Sequence, residues 1–246
     1  MIRRWLRPVL DRHALNPWVV TLRFIRAVGL RHLPFVAKNL AGSRAQLLQD
    51  LFVLIARDRK RNGYFVEIGA GDGEFLSNTW LLEKQYGWTG ILAEPNRAFV
   101  ERIRASRSAT LDTHAVWNRT GERLAFVDVS GVRELSTLRQ FQHADAYERQ
   151  GETYEVTTVS LNDLLAAHGA PGEIDYLSLD TEGSEWEILK SFDFAKYRVR
   201  TFSIEHNFSS DKLARISTLL TANGYSRVHA AYTRFDAWFV RDGSSG

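Results

Sequence analysis

A glycine-rich turn at residues 69–73 carries the residue types that most clearly suggest ligand chemistry. The segment from Glu67 to Gly73 reads EIGAGDG and follows a short apolar run typical of a β-strand. Glycines permit a tight turn and close approach of a ligand, and a following helix offers free N–H groups to a carboxylate. Because Glu67 and Asp72 lie beside the turn, the pattern predicts a ligand that carries both a carboxylate and positive charge.

The residue after the last glycine separates two classes of nucleotide cofactor. A dinucleotide-binding turn has glycine where this chain has Glu74, whose charge would repel a diphosphate. S-adenosylmethionine carries a carboxylate, an ammonium and a sulfonium but no phosphate. The turn therefore favours S-adenosylmethionine over NAD. Glu94, which precedes Pro95 at the end of the next predicted strand, suits either cofactor because an acid there accepts hydrogen bonds from ribose hydroxyls.

The predicted cofactor site combines this turn with the ends of neighbouring strands. Ala115 and Val116 follow a third apolar run and are expected to line the adenine, although apolar residues at a strand end are equally typical of plain core. The predicted cofactor-binding residues are Glu67, Gly69, Ala70, Gly71, Asp72, Gly73, Asn78, Thr79, Glu94, Pro95, Ala115 and Val116.

A second group of ionisable residues ends two further predicted strands. Asp180 follows one strand, and Glu205 with His206 ends the next. Three interpretations remain open. The three residues hold Mg²⁺ or Mn²⁺, which lowers the pKa of an acceptor hydroxyl; or His206 is a metal-free general base; or the acids from Asp180 to Glu185 mainly cap the following helix.

Strand-like and helix-like segments alternate from Tyr64 onward, which predicts an α/β fold with a mostly parallel sheet. We expect the class I, Rossmann-like methyltransferase fold, with seven strands and an antiparallel last strand. Two further strands and a short helix form an insertion that could overhang the site. The strands are expected at residues 64–68, 90–93, 111–116, 174–179, 201–204, 226–231 and 237–240, and helices at 75–84, 97–104, 161–168 and 212–223.

With these residues in view, the chain resembles the FkbM family of methyltransferases. Four segments carry the resemblance: FVEIGAGDGEFLSNT at 65–79, ILAEP at 91–95, DYLSLDTEGSEWEIL at 175–189 and FSIEHN at 202–207. The resemblance implies O-methylation of a hydroxyl on a sugar, glycolipid, polysaccharide or related metabolite, with S-adenosylmethionine as donor. One departure is Trp117-Asn118, where smaller residues are expected.

The absence of cysteine excludes several chemistries, because thiolates ligate iron–sulfur clusters and act as nucleophiles. Radical methyltransferases and cytosine-C5 enzymes are thereby excluded. Disulfides and zinc-thiolate sites are excluded as well. Direct displacement on the methyl group remains.

Charge divides the chain into two parts. Residues 1–61 contain 13 lysines and arginines against three acidic residues, which leaves 19 against 26 for residues 62–246. We predict a basic helical extension over 1–61 and a catalytic domain over 62–246. The extension is interpreted as a lid packed on the core, with contact of residues 1–40 to an anionic membrane, or to a polyanion, as alternatives.

The location predicted is cytoplasmic, with peripheral contact at the inner face of the membrane as a further option. Prolines interrupt the extension, and its arginines continue through the stretch where a secretory signal would be apolar. The rival functions are a nucleic-acid methyltransferase recruited by the extension and a scaffold without turnover. The acidic domain argues against nucleic acid, because it would repel phosphates near the site. The sequence does not indicate the oligomeric state.

Overall fold

The structure, a computed structural model, describes residues 16–143 and 149–243. Two sheets carry the strands of this part of the chain. The strands are β1 (Tyr64–Ile68), β2 (Thr89–Ala93), β3 (Thr110–Asp112), β4 (Ala115–Trp117), β5 (Arg123–Val129), β6 (Thr137–Leu138), β7 (Gly151–Ser160), β8 (Glu173–Leu179), β9 (Arg198–Glu205), β10 (Tyr225–Val228) and β11 (Asp236–Arg241).

Short helices connect the strands and precede the first of them. The α-helices are α1 (Pro17–Val28), α2 (Leu33–Asn39), α3 (Gln49–Ala56), α4 (Trp80–Tyr86), α5 (Val100–Ser106), α6 (Leu161–Ala167), α7 (Glu185–Leu189) and α8 (Ser210–Ala222). None of the helices described is both long and apolar enough to cross a bilayer.

The central sheet has seven strands in the order β10-β11-β9-β8-β1-β2-β3. All neighbours pair in parallel except β11, which pairs antiparallel to both β9 and β10. The predicted α/β, Rossmann-like class I methyltransferase fold is confirmed, including its antiparallel last strand. Because β2 and β3 lie on one side of β1 and β8 and β9 lie on the other, the strand order reverses at β1, and the carboxyl ends of β1, β2 and β8 flank a topological switch point.

The third predicted strand, at 111–116, is wrong in extent. The chain leaves the central sheet after Asp112, whose Oδ1 accepts a hydrogen bond from the backbone N–H of His114 at 2.8 Å. This local turn separates β3 from β4. β4 then joins a second sheet of order β4-β7-β5-β6, which contains the predicted insertion.

The helix predicted at 75–84 also begins later than expected, at Trp80. Residues 77–79 turn their donors toward Glu67 instead of forming helical hydrogen bonds: the N–H of Asn78 donates to Oε1 of Glu67 at 2.6 Å, and Oγ1 of Thr79 donates to Oε2 at 2.5 Å. Leu76 has a positive φ of 60°, which is incompatible with a continuous helix. Side-chain competition for backbone groups therefore shortens the helix.

The helices before β1 share a hydrophobic core with the sheet. Phe24 of α1 and Leu51 of α3 are fully buried in a cluster that includes Phe65 and Trp238. The ring of Phe52 stacks on that of Trp238 with centroids 4.4 Å apart. A second cluster lies on the other face of the sheet, against α6, α7 and α8. The division of the chain at residue 61 stays a prediction, but the two predicted parts are packed on each other.

Candidate active site

A cleft of about 990 Å³, its open mouth included, lies at the carboxyl ends of β1, β2 and β8. Residues 67–71, 93–95 and 180–182 line it from the central sheet. The second sheet and the segment before α3 complete its wall. In open α/β sheets this edge, at the switch point, is where ligands bind.

Two of the three glycines in the turn, Gly69 and Gly71, are required for different reasons. Gly69 has φ of 82°, and a Cβ there would lie 1.7 Å from the carbonyl oxygen of Asp180. Gly71 has φ of 53°, and nothing lies within 4 Å of the place of a Cβ. Gly69 therefore permits the contact between two loops, whereas Gly71 leaves open space in the lining of the cleft.

Glu67 organises the loop after the turn. Besides the donors of Asn78 and Thr79, its carboxylate accepts hydrogen bonds from Oγ of Ser77 at 3.0 Å and 3.2 Å. A guanidinium nitrogen of Arg107 lies 3.8 Å from Oε2. Burial raises the pKa of Glu67 against the opposing effect of Arg107. Although Glu67 lines the cleft, these contacts occupy its oxygens and make it chiefly a support for residues 77–79.

Asn78 presents an unused acceptor to the cleft. Its Nδ2 donates to Oγ of Ser178 at 2.9 Å, which fixes the orientation of the amide. Its Oδ1 is buried and has no hydrogen-bond partner among the described residues. A buried acceptor without a partner is costly, and an ammonium group is a strong donor that would satisfy it. The geometry is compatible with cofactor binding by Asn78, and that role stays a prediction.

Three residues of the predicted cofactor set shape the turn and do not line the cleft. Oδ1 of Asp72 accepts from the N–H groups of Glu74 and Phe75 at 2.9 Å and 2.7 Å, and Oδ2 lies 3.0 Å from a guanidinium nitrogen of Arg102. Thr79 is held by Glu67, and Gly73 packs on α5. The expectation that Asp72 faces the cationic part of the ligand differs from this placement, because its oxygens are used within the turn.

Glu94 follows β2 and lines the cleft beside the glycine turn. Its Oε2 accepts from the N–H of Gly71 at 2.9 Å, and its Oε1 accepts from the N–H of Asn96 at 2.8 Å. Burial raises the pKa of Glu94 to about 7, against these two hydrogen bonds and with a smaller contribution from Asp128. Each carboxylate oxygen keeps a further lone pair, so both can accept from neighbouring hydroxyls.

The residues predicted to contact the adenine line the cleft and also belong to the hydrophobic core. Ala115 and Val116 of β4 line the cleft, and each also belongs to a hydrophobic cluster. Trp117, the departure noted in the sequence, packs against Phe141 with ring centroids 5.8 Å apart and does not line the cleft. Its bulk is accommodated by the second sheet.

Three carboxylates meet beside the cleft, and one of them was not expected there. Single oxygens of Asp180, Glu182 and Glu205 lie within 4.8 Å of one another. Asp180 and Glu182 line the cleft, whereas Glu205 is buried behind them at the end of β9. Oxygen donors of this kind suit Mg²⁺ or Mn²⁺. The structure therefore brings Glu182 to the place predicted for His206.

His206 lies apart from this carboxylate group. Its backbone N–H donates to the carbonyl of Phe235 at 2.8 Å, and the residue is absent from the cleft lining. Consecutive residues of an extended chain point to opposite sides, so Glu205 and His206 cannot both face the same group. Burial, with the charge of Arg227, lowers the pKa of His206 to about 4.

Glu182 and Glu185 follow the same strand but make different contacts. Glu182 is buried and accepts a hydrogen bond from Arg149 at 2.7 Å, while its carbonyl accepts from Oγ1 of Thr137 at 3.0 Å. Glu185 accepts from the N–H groups of Thr181 and Gly183 at 2.9 Å and 3.1 Å. Glu185 therefore holds the loop before α7 and does not cap the helix, whose first N–H groups receive no side-chain cap, whereas Glu182 lines the cleft.

Other lining residues come from segments without a recognisable motif. Gln46 precedes α3, and five residues come from the segment that follows β5 and ends with β6: Arg133, Glu134, Leu135, Ser136 and Leu138. An isolated parallel bridge pairs Ala45 with Leu76 and brings the extension to the cleft. Nothing in the local sequence marks these residues, because their placement depends on contacts between distant segments.

A family model described as the methyltransferase FkbM domain matches residues 67–227, which include the glycine turn, Glu94 and the three carboxylates. The chain belongs to the FkbM methyltransferase family. It is therefore an S-adenosylmethionine-dependent methyltransferase. Gly71, Asn78 and Glu94 of the cleft lining offer that cofactor open space, a buried acceptor without a partner among the described residues, and a carboxylate.

Solved structures similar to this FkbM-family protein are also methyltransferases. A precorrin-6y C5,15-methyltransferase from Geobacter metallireducens is 12% identical with a TM-score of 0.41, and the match covers 78% of this chain and 84% of that one. The METTL16 methyltransferase domain is 14% identical with a TM-score of 0.43, over 77% and 64% of the two chains.

A putative RNA methyltransferase from Pyrococcus horikoshii is 8% identical with a TM-score of 0.39, over 80% and 84%. No curated protein matches the sequence at a significant level. Since the TM-scores lie below 0.5, these likenesses carry no argument about the acceptor.

Proposed function

We propose that this protein transfers a methyl group from S-adenosylmethionine to a hydroxyl of a sugar, glycolipid, polysaccharide or related metabolite. The observation that carries the proposal is the group of three carboxylates, Asp180, Glu182 and Glu205, two of which line the cleft. A hydroxyl must be aligned and relieved of its proton, and carboxylates can do both. An acidic wall also disfavours a phosphate backbone as acceptor.

The cofactor residues would orient the donor. Bound S-adenosylmethionine supplies a methyl group on a positively charged sulfur. Asn78 Oδ1 would accept from the ammonium group, and Glu94 would accept from the ribose hydroxyls. Both side chains line the cleft, so together they would orient the cofactor within it.

The carboxylate group would act on the acceptor. Asp180 and Glu182 line the cleft and would accept hydrogen bonds from the attacking hydroxyl, one of them receiving its proton. If a divalent cation takes part, Asp180, Glu182 and Glu205 would hold it, and the cation would lower the pKa of the hydroxyl. His206 does not line the cleft, so we assign the proton-accepting role to the carboxylates.

Calorimetric titration of S-adenosylmethionine into the purified protein is the first test. We expect saturable binding of S-adenosylmethionine and none of NAD⁺ run in parallel. Repeating the titration with Mg²⁺ or Mn²⁺ shows whether a cation contributes to cofactor binding. Absence of S-adenosylmethionine binding under every condition would remove the proposed site.

Methyl transfer to a panel of hydroxylated glycans and glycolipids is the second test, with Asp180→Asn as the diagnostic variant. We expect it to bind cofactor and to lose transfer by at least about a hundredfold. Asp211→Asn is the matched control, because Asp211 is an exposed acid of α8 paired only with Arg215 in the described structure. Full transfer by Asp180→Asn would refute the catalytic assignment, and full transfer after exhaustive chelation would exclude the cation alone.

A further inference from the structure

Helix α1 has apolar residues on two faces, and only one of them is covered. Val20, Phe24 and Ile25 are buried against the core. Trp18, at 74% exposure, and Leu22, at 67%, lie on the other side of the helix one turn apart. A surface helix needs only one apolar stripe to pack on its own protein. The outer stripe is therefore unexplained by the fold.

The exposed apolar side chains are concentrated in one segment. Among the described residues, seven large hydrophobic side chains are exposed, and five of them lie within residues 18–33. The five are Trp18, Val19, Leu22, Leu30 and Leu33. We call them, with the exposed Arg23, Arg26 and Arg31 between them, the α1 surface. A concentration of this kind on a protein surface marks an interaction site.

The charge of the segment around the α1 surface indicates which kind of partner binds there. Residues 16–49 contain five lysines and arginines and no acidic residue, so nothing within this segment neutralises the arginines of the α1 surface. A second copy of the chain would bring the same positive charge against it. A nucleic acid would contact the arginines but leave the exposed tryptophan and leucines unused. An anionic lipid bilayer matches both features, since apolar side chains enter it and arginines contact its phosphates.

We propose that the α1 surface binds an anionic membrane peripherally, with Trp18, Leu22 and Leu30 entering the acyl boundary and the three arginines at the headgroups. Tryptophan favours this boundary because its ring is apolar and its N–H is polar. The buried face of α1 stays packed on the core, so binding needs no unfolding of the helix. Membrane binding through the α1 surface does not depend on which acceptor the protein methylates.

Binding of the full chain to vesicles tests the proposal. Vesicles of equimolar phosphatidylcholine and phosphatidylglycerol are compared with vesicles of phosphatidylcholine alone, by co-sedimentation at low and high salt. We expect binding to the anionic vesicles, weakened by salt, and little binding to the neutral ones. Absence of binding to anionic vesicles would overturn the proposal.

Two triple variants test which residues are responsible. Replacement of Arg23, Arg26 and Arg31 by glutamine is expected to weaken binding about a hundredfold. Replacement of Trp18, Leu22 and Leu30 by serine is expected to weaken it more than tenfold, and because these side chains are exposed the melting temperature should change little. Methyl transfer to a soluble acceptor should persist in both, which separates this test from that of the proposed function.

A charge-matched control carries glutamine in place of Arg104, Arg123 and Arg215, which are exposed arginines of other elements. We expect it to bind vesicles like the unaltered protein. Equal loss in the control and in the arginine variant would mean that net charge alone drives binding, and the α1 surface would be rejected. A protein that fails to bind vesicles could instead bind RNA or self-associate. If either property depends on Trp18 and Leu22, the surface belongs to that partner and the membrane proposal is wrong.

Discussion

The carbonyl oxygen of Asp180 occupies the place that a side chain on Gly69 would take, 1.7 Å from the position of its Cβ. This contact joins the glycine turn after β1 to the carboxylate loop after β8. The turn that would hold the cofactor and the acid that would meet the acceptor are therefore positioned by the same pair of backbones. A change at Gly69 should disturb both.

Gly69→Ala is expected to destabilise the fold by about 2–5 kcal/mol, because it combines a left-handed φ with a clash against backbone. Gly71→Ala is the matched comparison: its φ is also positive, but nothing surrounds the place of its Cβ. We expect a cost of roughly 1 kcal/mol there, with weaker cofactor binding. Denaturant unfolding measures both, and equal destabilisation by the two variants would contradict the contact.

Asn78→Ala should weaken binding of S-adenosylmethionine by about 10- to 100-fold, because it removes the acceptor expected to meet the ammonium group. Ser178→Ala is the control, since it removes the partner of the amide nitrogen, together with a 3.3 Å hydrogen bond from Oγ of Ser203, and leaves Oδ1 in place. A smaller loss is expected for this control. If both variants bind the cofactor like the unaltered protein, Asn78 has no part in the site.

Binding of S-adenosylmethionine should tighten as pH rises from about 6 to about 8. The pKa of Glu94 is raised by burial to about 7, so the carboxyl group is partly protonated near neutrality. Ribose hydroxyls donate to the ionised form and lower its pKa, which makes binding release protons and favours it at higher pH.

The Glu94→Gln variant separates titration of Glu94 from titration of the cofactor, because the cofactor titrates in the same way with the variant and with the unaltered protein. We expect weaker binding by the variant and loss of the part of the pH dependence centred near 7. Calorimetry across the pH range provides the measurement. Identical pH profiles for the two proteins would show that Glu94 does not titrate on binding.

Asp50→Asn should change how stability depends on pH. Burial raises the pKa of Asp50 to about 7, and its Oδ2 has no partner in the described part of the chain, although Oδ1 accepts from Ser43 and from Leu51. Between the unfolded and the folded pKa the folded state holds more protons, so stability falls as pH rises from about 4 to 7.

The asparagine variant lacks this titration. We expect its free energy of unfolding, relative to the unaltered protein, to rise by roughly 2–4 kcal/mol between pH 5 and pH 8. Urea unfolding at the two pH values measures it. A constant difference between the two proteins would show that the pKa of Asp50 is ordinary.

Arg149→Gln is expected to destabilise the protein by about 3–5 kcal/mol, because it leaves the buried carboxylate of Glu182 without its cation. Arg149→Gln combined with Glu182→Gln should recover part of that loss, since the carboxylate that had lost its cation is then neutral as well. A double-mutant cycle by denaturant unfolding gives the coupling energy. Additive effects would indicate that the ion pair does not exist in solution.

The sheet was predictable from the sequence because its strands are continuous apolar runs ended by glycine or acid. The contacts of the side chains at the strand ends could not be predicted in the same way. Thr79 was expected to face the cofactor, but its hydroxyl binds Glu67. Likewise, Glu182 replaces His206 because the loop after β8 has a left-handed residue at Glu182 that no simple periodicity predicts. Gln46 reaches the cleft through long-range packing alone.

The packing of α1 and α3 on the sheet has a consequence for protein engineering. Phe24, Leu51 and Phe52 cover Phe65 and Trp238, so a fragment that begins at residue 62 would expose large aromatic surfaces to water. Such a fragment is expected to aggregate on expression. We therefore expect that residues 62–246 do not fold independently. Fusions or chimaeras built from them should include the helices from residue 16 onward.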